Sequence, residues 1–303
     1  SVGLLCPRTE MIYKLVDQWQ QKAAVTQACR VLDVSRSGYY AARARTKAPV
    51  VCAATVHLKA AFNASKRSYG SRRLVSTLQG QSIKIGRHKV MRLMREANLK
   101  PVWKKKFVNT TDSNHDLPVA ENILNRQFNP AKPNQAWTSD ITYIRTRSGW
   151  LYLAVVMDLY SRKIIGWAMS PTMHTELVSR ALLMAIGQRK PAVGLLLHSD
   201  RGSQYASHEY QDLLKQHGIV CSMSGKGNCW DNAVMERFFL NLKMERVWQR
   251  DYANHLEAVK DITEYIVGFY NCVRLHSTLG NLPPMIYEME MATKELIVVS
   301  ENT

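Results

Sequence analysis

The sequence predicts a mixed α/β protein, a sheet flanked by helices, preceded by purely helical units. Apolar residues recur at helical spacing over the first hundred positions, and runs of β-branched and aromatic residues begin near residue 134. The charge balance changes at the same boundary. Of the 303 residues 46% are apolar and 21% charged, which excludes global disorder and suggests two or three domains. No run approaches the roughly 18 apolar residues of a membrane helix. Residues 1–6 are too short for the apolar stretch of a secretory leader, so a cytoplasmic protein is expected. The chain opens without an initiating Met, which we read as a trimmed or frameshifted product.

Net charge is the first functional signal. The total is +17, with 24 Lys+Arg against 7 Asp+Glu in residues 1–133 and 17 against 17 in residues 134–303. A basic segment of this density suits a polyphosphate, since each neutralised phosphate releases a counterion; we expect nucleic acid binding. A merely soluble basic surface is the alternative. The six cysteines, at 6, 29, 52, 221, 229 and 272, form no C-x-x-C pair, so neither a disulfide framework nor structural zinc is expected.

In residues 1–50, Met11-Ile12-Leu15-Val16-Trp19 and Val25-Ala28-Cys29-Val31-Leu32 mark two helices and Asp33-Val34 a turn. Ser35 can cap a third helix that presents Arg36, Ser37, Tyr40 and Arg43 outward, side chains suited to a DNA groove. A plain three-helix bundle with a solvated basic face is the rival reading. Residues 51–108 form a second helix-turn-helix-like unit containing Arg72 and Arg73. Its last helix sets Val90, Leu93 and Met94 on one face and Arg87, Lys89, Arg92 and Arg95 on the other. Basic side chains alone position phosphates without reading bases. Lys104-Lys105-Lys106, beside Trp103 and Phe107, add a further basic run, and residues 109–133 read as a linker.

Residues 134–248 change character. Strands are predicted at 137–144, 150–157 and 163–169, a helix at 175–188, a strand at 194–198, a helix at 207–217, a strand at 219–222 and a helix at 233–247. The order βββαβαβα describes a mixed sheet with flanking helices and fits an RNase H-like fold. Residues 249–303 read as a C-terminal helical extension.

Three acids stand out by position. Asp140 lies inside the first strand, where a charge is costly unless paired or on a metal. Asp200 follows the apolar strand at its carboxyl end, where ligands gather. Glu236 lies in a first helical turn, with 35 residues between it and Asp200. Each alone could be a turn, cap or helix-dipole residue. Together they supply carboxylates from three elements, as phosphodiester transfer with two divalent ions requires. Asp158 reads as structural or as a support behind the site, His198 as an orienter of Asp200 or of a water or else a satisfied, partly buried histidine, and Asn232 as the cap of the Glu236 helix. Trp230 and Cys229 read as part of a mobile loop beside the site, with core packing the rival for Trp230.

The strings Trp137-Thr138-Ser139-Asp140-Ile141-Thr142-Tyr143, His198-Ser199-Asp200-Arg201-Gly202-Ser203-Gln204-Tyr205 and Asp231-Asn232-Ala233-Val234-Met235-Glu236-Arg237-Phe238 resemble the DD(35)E core of the insertion-sequence transposases called the IS-three family, relatives of retroviral integrases. Lys243 matches the basic residue which that family carries seven positions after its glutamate. Tyr270-Asn271-x-x-Arg274-x-His276-Ser277-x-Leu279-Gly280 with Pro283-Pro284 resembles its C-terminal extension, and Tyr69-Gly70-Ser71-Arg72-Arg73 its helix-turn-helix segment. The resemblance implies that Asp140, Asp200 and Glu236 hold two Mg²⁺ ions, with Mn²⁺ able to substitute. It also implies that a water frees a 3′-hydroxyl at the element's end, which then attacks another DNA phosphodiester. Terminal inverted repeats and target DNA are the expected substrates, for a homo-oligomer associated with the bacterial nucleoid and acting with, or fused to, an upstream-frame protein. A DNA-binding repressor with an inactive core and an RNase H-like nuclease are the competing functions.

Overall fold

The computed structural model describes residues 7–19, 24–44, 53–102, 118–225 and 229–301. The chain divides into two compact units, residues 1–53 and 54–303. In the first, α1 (Pro7–Trp19), α2 (Val25–Val31) and α3 (Arg36–Ala44) close on a small core of Tyr13, Val16, Ala28, Cys29 and Tyr39. Ser35 caps α3 as the sequence predicts: its Oγ accepts from the Gly38 amide at 3.3 Å. The turn before it bends through Asp33 at φ 49°, a region Asp tolerates better than most residues.

The second unit opens with α4 (Ala53–Ala64), α5 (Ser71–Gly80) and α6 (Arg87–Glu96). A five-stranded sheet follows, built from β1 (Ala136–Thr146), β2 (Gly149–Asp158), β3 (Ile164–Ser170), β4 (Leu196–Ser199) and β5 (Val220–Met223). The spatial order is β3-β2-β1-β4-β5: β1, β2 and β3 form an antiparallel meander, while β4 lies parallel to β1 and β5 parallel to β4. Gly149 allows the tight β1–β2 turn by adopting φ 114°. Helices α7 (Thr175–Arg189), α8 (Ser203–Ala206) and α9 (His208–Gln216) accompany β4 and β5, and α10 (Ala233–Glu245) follows β5. The order is the predicted one, with the last two strands starting one or two residues later than expected. This is an RNase H-like mixed sheet.

Alternation along the strands sorts the sheet into two buried faces. Trp137, Ala154, Val156, Ile165 and Ala168 pack with α7 and α9 on one side. Ile144, Leu153, Val155, Met157 and Ile164 pack on the other with Met235, Phe238 and Leu242 of α10. That second cluster also takes in Leu58, Leu74 and Leu93 from α4–α6. It extends to Ile262 of α11 (His255–Glu264) and to Tyr265 and Tyr270 in the π-helical turn after it. Residues 54–102 and 255–270 therefore share one core with the sheet. α12 (Pro284–Glu301) is clamped to the sheet's end through Glu288, which accepts from Ser161 Oγ at 2.6 Å and Lys163 Nζ at 3.1 Å and pairs with Arg189.

Residues 109–133, expected as a linker, are held to the sheet over their described part. Ser222 Oγ accepts from the Ile123 and Leu124 amides at 3.0 and 3.1 Å, and Leu124 is buried beside Ala136 and Leu159. Of the polar residues in that part Asn122 and Arg126 bond back to Asp231, while residues 109–117 lie outside the described residues. Among the described residues no helix is long and apolar enough to cross a membrane.

Candidate active site

Asp140 sits midway along β1, the central strand, opposite Val155 of β2 on the face that α10 covers. One of its oxygens accepts from the Ile141 amide at 2.7 Å. Asp200 follows β4 directly, so the parallel β1–β4 pairing brings the carboxyl end of that strand beside Asp140. Its Oδ1 accepts from the Gly202 amide at 2.9 Å, and a Cβ at Gly202 would stand only 3.0 Å from that oxygen. Arg201 Nε donates to the Ser224 carbonyl at 2.6 Å and ties this turn to the end of β5. Glu236 lies in the first turn of α10 and Lys243 two turns later on the same face, about 20° apart by helix geometry.

Electrostatics link the four. Burial pushes the Asp140 carboxyl well above the ordinary carboxylate range, the Asp200 charge pushes it further, the Ile141 amide opposes this, Glu236 adds to the rise, and Lys243 opposes it. Burial also raises Glu236. The Lys243 ammonium is drawn below its ordinary value by burial, against the pull of Asp140, and lies 4.4 Å from the centre of the Tyr143 ring. Like charges at low dielectric repel. Among the described residues no three His, Cys, Asp or Glu side chains close to ion-holding spacing, so the acids form an open group rather than a finished cage. The donor set, three carboxylates on separate elements with one pushed up by burial and by its neighbours' charge, fits a hard divalent cation that would relieve the repulsion.

The surroundings correct parts of the sequence reading. Asn232 occupies the N-cap position of α10 but makes no side-chain cap; its Oδ1 accepts from Thr138 Oγ1 at 2.8 Å and joins the helix to β1. His198 does not orient Asp200. Its Nδ1 and Nε2 lie 2.9 and 3.2 Å from the Ser222 and Ser224 hydroxyls, and burial lowers it to about 4, leaving a neutral core histidine. Trp230 is 68% exposed, which excludes core packing for it. Asp158 accepts from the Asn134 and Tyr160 amides, both at 3.0 Å, with Arg189 at 3.6 Å, a structural role as expected.

Two supports escaped the sequence reading. Asp231, buried just ahead of α10, accepts from Asn122 Nδ2 at 2.9 Å, Arg126 Nε at 2.8 Å and the Gly225 amide at 2.9 Å. Burial works to raise its carboxyl, but the Gly225 amide and Arg126 hold it below its ordinary value. It fixes where the Glu236 helix begins. Tyr205, whose hydroxyl lies 3.1 Å from Ser139 Oγ, is buried behind the strand that bears Asp140. Its place within a quoted motif was the available signal.

The basic residues separate into sets. Arg36, Tyr40 and Arg43 lie exposed on α3 of the first unit, where Arg43 Nη1 donates to Tyr39 Oη at 3.2 Å. Arg87, Lys89, Arg92 and Arg95 lie exposed on α6, with Arg92 3.7 Å from Glu96. Arg72 is exposed, but Arg73 is half-buried, its guanidinium 5.5 Å from the Tyr69 ring centre. Lys104, Lys105 and Lys106 lie outside the described residues.

Family models place this geometry. An integrase core domain matches residues 130–229, a second integrase core model residues 217–284, and an HTH-like domain residues 53–107. The chain is 40% identical over 283 residues to transposase InsF of insertion sequence IS3A from Escherichia coli K12, covering 92% of this chain and 98% of that one. The chain belongs to the IS3 transposase family. As an IS3-family transposase it is an enzyme that cuts DNA strands and transfers them. A 31 kDa protein of insertion element IS600 from Shigella sonnei is 43% identical over 266 residues, 86% of this chain and 96% of that one. Solved structures resemble the transposase more loosely. The HTLV-2 integrase catalytic core, solved with magnesium, aligns with 51% of this chain and 96% of its own at 17% identity and TM-score 0.39. The BIV integrase core aligns with 54% and 99% at 22% identity and TM-score 0.41.

Proposed function

We propose that Asp140, Asp200 and Glu236 are the catalytic carboxylates of this transposase and hold two Mg²⁺ ions, for which Mn²⁺ can substitute. The observation that carries this is the placement of Asp140 on the central strand beside Asp200 through the β1–β4 pairing, with Glu236 and Lys243 on one side of α10, close enough for their charges to act on Asp140. Bound there, divalent ions would activate an attacking oxygen and stabilise a leaving one. The protein's own groups supply the rest: Lys243 holds a phosphate of the DNA end beside the acids, and the β1–β4 pairing and Asp231 fix their relative placement. The reaction is hydrolytic cleavage at the element's terminal inverted repeats, freeing a 3′-hydroxyl that joins to target DNA. The exposed basic faces of α3 and α6 bind the duplex for a homo-oligomer, with the upstream-frame protein as partner or fusion.

Glu236→Gln tests the assignment, because it preserves volume and helix while removing one anionic ligand. Loss of a ligand should cost cleavage and joining of a labelled element end on the order of 10³-fold, at 1.36 kcal/mol per decade, with end binding and the thermal melt unchanged. Substantial joining by a normally stable Glu236→Gln protein would remove Glu236 from the site.

A further inference from the structure

α10 has a second face. Glu236 and Lys243 share one side, while Arg237, Asn241 and Glu245 turn 100° to 180° away by helix geometry. Behind that far side lies a cavity of about 690 Å³, bounded also by the start of α5 and by the turn before α12. Among the described residues its wall includes four arginines, Arg73, Arg162, Arg237 and Arg274, but one carboxylate, Glu245.

The accounting of partners leaves an excess of positive charge. Glu245 is fully engaged, accepting from Arg274 at 2.8 to 3.1 Å and from Tyr265 Oη at 2.6 Å. Arg162 is spent on the Phe128 and Leu159 carbonyls and Asn129, at 2.6 to 2.8 Å. Arg73 and Arg237 form no ion pair among the described residues. His276, also in the wall, is 9% exposed, and its buried Nε2 has no hydrogen-bond partner among the described residues. A polar nitrogen buried without a partner costs free energy that a ligand atom would recover.

We propose that this cavity binds a phosphodiester of a DNA strand, with Arg73 and Arg237 as its charge partners and His276 Nε2–H as a further donor. Two separately mounted guanidiniums suit a tetrahedral anion, and charge-assisted bonds to phosphate are among the stronger ones proteins make. The volume lies within the roughly 300 to 1,000 Å³ of ligand sites, so it admits more than a bare anion. Burial and the neighbouring Arg274, Arg73 and Arg162 hold His276 down to about 2, so it stands neutral, able to donate without adding a competing charge. A DNA strand, rather than a free nucleotide, is favoured because the walls join the HTH-like segment to the helix that carries Glu236. The proposal rests on membership of a DNA transposase family, but not on the assignment of the carboxylates.

The test uses the full chain in EDTA, with ¹⁵N-histidine NMR and the His276 signal assigned by His276→Gln. The probes are inorganic phosphate and a thymidine dinucleotide joined by one phosphodiester. Saturable movement of the His276 signal by the dinucleotide is expected, tighter than by phosphate, and weakened about tenfold or more in Arg237→Gln. That variant sits on an exposed stem and keeps the fold; Arg73→Gln, which also loses the Tyr69 ring contact, gives the second arm. An unmoved His276 signal, or unchanged affinity in Arg237→Gln, overturns the site. Equal affinity for phosphate and dinucleotide overturns the strand assignment. The same titration on Glu236→Gln separates this proposal from the catalytic one, since failure of either leaves the other's readout intact.

Discussion

Arg274→Met removes one half of a buried ion pair while keeping most of the side chain's length. Arg274 is 1% exposed and Glu245 5%, and Nε and Nη2 of the arginine reach both carboxylate oxygens at 2.8 to 3.1 Å. Burial alone would lower the guanidinium, but the Glu245 charge more than offsets this and raises it above its ordinary value. After the substitution Glu245 keeps, among the described residues, only the Tyr265 hydroxyl, at 2.6 Å, against a negative charge that is 5% exposed. Breaking such a pair from one side costs about 3 to 5 kcal/mol. At about 2 to 4 °C per kcal/mol for a unit of this size, the melting temperature of residues 54–303 should fall by roughly 6 to 20 °C. Replacing both partners, as Arg274→Met with Glu245→Leu, should recover most of the loss, because no buried charge then remains. Calorimetry on the two single variants and the double variant completes the cycle. A single variant that melts within a degree of the parent, or a double variant as unstable as the two losses summed, would refute the reasoning.

The neighbouring features yield further expectations. In Gly166→Ala a Cβ would collide with the Ala181 carbonyl oxygen and meet Ala185 Cβ at 2.9 Å, prising β3 from α7 at a cost of at least about 1 to 3 kcal/mol; an unchanged denaturation midpoint would contradict it. His276 binds a proton at about 2 when folded and near 6.5 when unfolded, so its stabilising contribution is complete above pH 6.5 and falls by about 1.36 kcal/mol per unit below that. From pH 7 to 5, in phosphate-free buffer, the parent should therefore lose about 2 kcal/mol that His276→Gln retains, and parallel acid limbs would overturn this. Lys243→Ala should weaken end binding and joining with the melt preserved, and unimpaired joining of pre-cleaved ends would exclude the residue from substrate contact.

Much of the fold was legible because each element advertises itself locally. The change from helical spacing to β-branched runs near residue 134, the Ser35 cap and the meander turns each reflect interactions among neighbours in sequence. The acids stand out in the sequence for a related reason: Asp140 interrupts a buried strand, Asp200 ends another, and such positions tolerate a charge only where something offsets it. Lys243 came from the family resemblance, and helix geometry sets it on the side of α10 that carries Glu236.

What local pattern cannot carry is the identity of the neighbour across the fold. Asn232 looks like a cap by type and position, yet Thr138 on β1 claims its oxygen; His198 stands beside Asp200 in sequence but turns to Ser222 and Ser224. Arg73 reads as one basic residue among many, and only the approach of residues 270–276, where the Leu275 amide donates to Tyr69 Oη at 2.8 Å, folds it inward against Arg274 and His276. Periodicity records which side chains leave water, because burial acts on each residue alone. Which charges then face one another depends on segments some two hundred residues apart packing on the same face of one sheet, and that was settled by tertiary structure.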